Sequence, residues 1–144
     1  MLSNSQKLLF IRFAYWLGAI LDAFWGFLSL IYMFFSEQRI FVDLGYPSPI
    51  SDFDYYTLVG VSSLMLGWTC LLFWADRKPI ERRDTLLITV GVMFIMFTLQ
   101  LNGLLSRNPY ISLISLISNG TIIIYGLAYY FARHLAIEVR ELDT

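Results

Sequence analysis

Near the middle of a long apolar run stands one acidic residue, Asp22, within Tyr15-Trp16-Leu17-Gly18-Ala19-Ile20-Leu21-Asp22-Ala23-Phe24-Trp25-Gly26. A carboxyl at the centre of a membrane helix costs about 2.5 to 3.5 kcal/mol on insertion scales, so a chain that keeps one has a bond or a task for it. Three readings stay open. Asp22 ties helices together by a buried hydrogen bond; it acts as a proton carrier, ion ligand or ligand anchor; or it faces another copy in an oligomer. The expected company is Asn119 first and Gln100 second, with Tyr15 completing a candidate intramembrane polar site.

Other residues with chemical potential have plainer explanations. Gln100, Asn102 and Asn119 are the residue types that glue membrane helices to each other. Asn119-Gly120-Thr121 matches a glycosylation sequon, but a midplane position makes acceptance implausible. Met93 and Met96, three residues apart, fit gap-filling core better than a soft-metal site. The single cysteine, Cys70, excludes an intrachain disulfide, and the single histidine, His134, makes neither a zinc site nor a bis-histidine haem by itself. No catalytic residues, metal site or cofactor are expected. The enzyme question stays open, leaning towards a non-enzymatic protein.

The elements that must position these residues follow from composition and length. Of 144 residues, 58% are hydrophobic and only 15% are charged, well below the globular norm of roughly 25%, and this defines a membrane protein. Lys and Arg number 10 against 11 Asp and Glu, so no basic field attracts nucleic acid. A membrane helix needs about 20 mostly apolar residues, and four segments qualify: 9–35, 55–74, 85–105 and 110–132. The first is longer than a signal-peptide core and lacks a small-x-small cleavage site, so it reads as a retained span. An outer loop (36–54), a cytoplasmic loop (75–84) and a cytoplasmic tail (133–144) complete one four-span domain. The tail keeps helical character and reads as a solvated extension or a partner-binding helix. The expected fold is an all-α, integral-membrane four-helix bundle with up-down-up-down topology.

Orientation comes from the basic residues. Lys7, Arg12, Arg77, Lys78, Arg82, Arg83, Arg133 and Arg140 fall on one side, and only Arg39 and Arg107 on the other. Basic residues are retained on the cytoplasmic face, which puts both termini and the 75–84 loop on the cytoplasmic side of the cell membrane. Arg12 lies ten residues before Asp22, about 15 Å along a helix, and is expected to snorkel to headgroups rather than pair with that acid.

Within lipid, helices pack through small and polar residues. The expected inward stripes are Tyr15, Gly18, Ala19, Asp22, Gly26 and Ser29 on the first span and Gly60, Ser63, Gly67 and Cys70 on the second. On the third they are Thr85, Thr89, Met93, Met96, Gln100 and Gly103. The fourth offers Ser112, Ser115, Asn119, Ile122, Gly126 and Tyr129 or Tyr130.

Two loops are informative. Arg77, Lys78, Arg82 and Arg83 fix topology, and form a candidate contact for anionic lipid or a cytoplasmic partner. Outside, the apolar stretch 40–47 is expected to fold back over the bundle mouth. Beyond the lipid bilayer, the partners expected are other membrane proteins or copies of the chain. The leading function is an accessory or assembly subunit in a membrane complex. The alternatives are a small oligomeric transporter or channel using Asp22, and a membrane enzyme or lipophilic-ligand binder with a pocket around Asp22.

Overall fold

The computed structural model describes residues 3–35, 41, 51–106 and 120–142, with side chains described up to 138. Within them the chain is helical: α1 (Asn4–Phe34), α2 (Asp52–Asp76), α3 (Asp84–Leu105) and α4 (Ile122–Leu142). Serine starts two of these helices. Ser3 caps α1 and Ser51 caps α2, each in a reciprocal capping box in which residue N3, Gln6 or Asp54, bonds back to the cap backbone. Four otherwise orphaned donors are thereby satisfied. Three helices, α1, α2 and α3, are long and apolar enough to cross a bilayer. The described part of the fourth expected span begins only at 120, and α4 runs on through His134 and Glu138.

α1 is the central element. α2 packs along it antiparallel, bringing Gly18 to Leu72 and Gly26 to Leu66 and Met65. α4 packs on α1 from another side, also antiparallel, with Phe10 edge-on to Phe131 at 5.6 Å, and α3 packs on α4. Ile11, Ala14, Tyr15, Ala19, Leu72, Ala75, Leu86, Tyr125, Ala128, Ala132 and Leu135 form one continuous buried cluster. The interfaces work by pairing small with large. A Cβ placed on Gly18 would stand 2.8 Å from both Leu72 Cδ1 and the Tyr125 hydroxyl, so any larger residue there would displace both side chains from their present seats.

The inward stripe expected of α1 is found, with Tyr15, Gly18, Ala19, Gly26 and Ser29 buried and Asp22 partly buried. That of α2 is corrected. Gly60, Ser63, Gly67 and Cys70 are exposed, and Ser62, Thr69, Leu72, Ala75 and Asp76 are buried instead. The reason is steric: α1 already supplies the glycines, and a second glycine face against them would leave voids where Leu72 and Leu66 now fit.

α4 is rotated from expectation in a similar way. Tyr125, Ala128, Ala132 and Leu135 are buried, Ile122, Gly126 and Tyr129 are half-buried, and Tyr130 is exposed. Ser112, Ser115 and Asn119 lie outside the described residues. On α3, Thr85 and Thr89 are buried, Met93, Gln100 and Gly103 are half-buried, and Met96 is exposed. Of the stretch 40–47 only Phe41 is described. It is buried, with its ring 5.3 Å from that of Tyr32.

Candidate functional site

Two polar groupings are built on α1, at different heights. The first is at the end of the bundle that carries the turn 77–83. α2 continues through Asp76, which is 8% exposed and accepts from three donors. Arg12 reaches it with Nε at 3.0 Å and Nη2 at 3.1 Å, and the Trp16 indole N–H donates at 3.2 Å. Such a planar, two-pronged bond suits guanidinium and carboxylate. Arg12 therefore has a protein counter-ion rather than headgroups alone, and Asp76 belongs to a helix rather than to a free loop. Sequence distance hid this bond, because 64 residues separate the partners.

The turn itself is cross-braced. The Tyr15 hydroxyl donates to the Arg82 carbonyl at 3.0 Å, with the Pro79 carbonyl at 3.5 Å. Arg82 lies over the Trp74 ring, 3.5 Å from its centre, and donates to the Trp74 carbonyl. Arg83 donates to the Ile80 carbonyl at 3.1 Å, and Lys78 pairs with Glu81 at 2.8 Å. Of the four basic side chains of the candidate contact loop, only that of Arg77 has neither a hydrogen bond nor an ion pair among the described residues.

The second grouping surrounds Asp22, one turn beyond Gly18. Its carboxyl is partly buried and makes no hydrogen bond among the described residues. Tyr125 of α4 packs on the same stripe one turn away, its hydroxyl 2.8 Å from a Cβ placed on Gly18, and that hydroxyl is itself hydrogen-bonded with the Thr121 side chain. Tyr15 points its hydroxyl at the turn, two helical turns away from Asp22. No hydrogen bond joins Gln100 to Asp22, and Asn119 lies outside the described residues. The expected quartet is thus not assembled by bonds in the part described. Sequence reasoning missed Tyr125. Its signal was present, since Tyr125, Ala128 and Ala132 follow one another at three- and four-residue steps.

A third contact ties the end of α4 to the start of α1. Lys7 Nζ is 3.5 Å from Glu138 Oε1, and His134 Nδ1 is 3.1 Å from the same oxygen. Partial desolvation pushes the Glu138 carboxyl up, but the charges and hydrogen bonds of Lys7 and His134 outweigh it and hold the group below its ordinary value. With Leu135 buried as well, the α4 extension is docked on α1 through this point rather than freely solvated.

Chemically, the Asp22–Tyr125 grouping could exchange a proton or help to hold a cation. Among the described residues no three His, Cys, Asp or Glu side chains gather as a metal site. Comparison with known proteins returns no matching family, no matching curated protein and no matching solved structure. Fold and site define a helical protein with three helices able to cross a bilayer and a partly buried carboxyl on the central one that has no hydrogen bond among the described residues.

Proposed function

We propose that the protein is a multi-pass membrane protein, with both termini and the 77–83 turn in the cytoplasm, that serves as a non-enzymatic accessory or assembly subunit of a membrane complex. The observation that carries this reading is the outward face of α2. Gly60, Ser63, Gly67 and Cys70 recur at three- and four-residue steps, all exposed, and among the described residues nothing stands within 4 Å of a Cβ placed on Gly60 or Gly67. Small residues at that spacing gain little against lipid tails but let another helix approach closely. The Ser63 hydroxyl already bonds to the Val59 carbonyl, so the face can enter lipid or another helix without an unsatisfied donor.

The test is native mass spectrometry after mild solubilisation, comparing the wild type with Gly67→Leu. A stoichiometric complex with other subunits, lost in the variant while the chain keeps its melting temperature, is the expected result. A bare monomer in both would overturn the reading.

A second reading has its own observation: Asp22 stands partly buried in an apolar segment without a hydrogen bond among the described residues. This supports an oligomeric transporter or channel in which Asp22 is proton- or ion-linked. Asp22→Asn then abolishes pH-dependent flux in reconstituted vesicles, and unchanged, pH-sensitive flux would remove the proton role.

A further inference from the structure

At the turn end of the bundle, the geometry points to a binding site for the phosphate of an anionic phospholipid, in the cleft between the start of α1 and the 77–83 turn. The cleft has a volume of about 330 Å³, at the small end of ligand sites and suited to a glycerophosphate headgroup whose acyl chains stay outside. Leu8, Pro79 and Ile80 form its apolar wall, and Arg12, Arg77 and Lys78 its basic rim.

The charges differ in how free they are. Arg12 is held by Asp76, which leaves its remaining nitrogen to orient a ligand without being drawn away. Lys78 is paired with Glu81 across side chains 56% and 66% exposed, and such exposed pairs contribute little and exchange readily. Arg77 is uncommitted among the described residues and exposed. With Asp76 and Glu81 as the acids of the lining, one positive charge remains for an anion. Arg82 and Arg83, which equal weighting of loop charges would include, bond to backbone carbonyls and do not line the cleft.

The occupant is a lipid rather than a free phosphate for two reasons. Trp16 and Trp74, both exposed, stand at this end of the bundle, and indoles favour the headgroup layer of a bilayer. Leu9 and Phe13, beside Leu8 and Arg12 on α1, are exposed and give an acyl chain an apolar track leading from the cleft. The site rests on the membrane reading proposed above.

The test is native mass spectrometry of the full chain in mild detergent, titrated with phosphatidylglycerol, phosphatidylcholine or inorganic phosphate. One phosphatidylglycerol per chain is expected, held ~10- to 30-fold more weakly when Arg77→Gln and Lys78→Gln are combined, at about fivefold per basic residue. Arg83→Gln leaves it unchanged. Equal binding of the two lipids, undiminished binding in the double variant, or phosphate competing as well as the lipid would each overturn the site. Carbonate extraction of cell membranes tests the membrane reading separately. A chain released by carbonate sinks that reading, whereas a retained chain with charge-independent lipid binding sinks only this site.

Discussion

Asp22 and Asp76 are both acids on long apolar helices, and their neighbours separate them. Asp76 accepts from Arg12 and Trp16 in a buried position, while Asp22 makes no hydrogen bond among the described residues. Removing one partner of a charge pair is destabilising, but the Arg12 side chain is 53% exposed, so solvent screening keeps the loss well below that of a fully buried pair. Asp76→Asn and Arg12→Gln should each lower stability, and the double variant by clearly less than their sum. Equilibrium unfolding in detergent checks this, and additive losses would show that the two do not act as a unit. Asp22→Asn, at a carboxyl with no hydrogen bond among the described residues, should change stability less than either of these in the same measurement.

Helix packing turns on which glycines are covered. Gly18 lies between Leu72 and Tyr125, and Gly26 against Leu66 and Met65 at 3.2–3.3 Å. Gly18→Val should therefore destabilise the bundle by about 1–3 kcal/mol through overpacking. Gly60→Val, on the open face of α2, should leave the melting temperature of the isolated chain unchanged. A thermal shift assay on both variants reads the contrast directly, and equal effects would mean that the α1–α2 interface is not the one described.

For the molecule as a whole, the contact that joins its two ends carries a pH dependence. Glu138 titrates below its ordinary value of 4.5 when folded, so its stabilising contribution is present above that value and is lost as pH falls through the folded value. Glu138→Gln should flatten the drop in melting temperature that the wild type shows on acidification below about pH 4.5, and salt should shrink the difference because the pair is partly exposed. The proposed topology makes its own demand. Single cysteines at Ser5 and Glu81, in a Cys70→Ser background, should be labelled from the cytoplasmic side only, and labelling of either from outside would reverse the orientation.

The sequence by itself determined the helical architecture, three of the spanning-length helices and the covered stripe of α1, because apolar length and small-residue spacing are local properties of the chain. It also singled out Asp22. Only the tertiary structure decided which face of α2 and of α4 is covered, since in an apolar helix every face is compatible with lipid and periodicity carries little information. It was likewise the packing that brought Asp76 to Arg12 and Tyr125 to Gly18, and that turned Tyr15 towards the 77–83 turn. Those contacts join residues 64 or more apart in the chain, so they depend on how one helix seats against another, which no local spacing encodes.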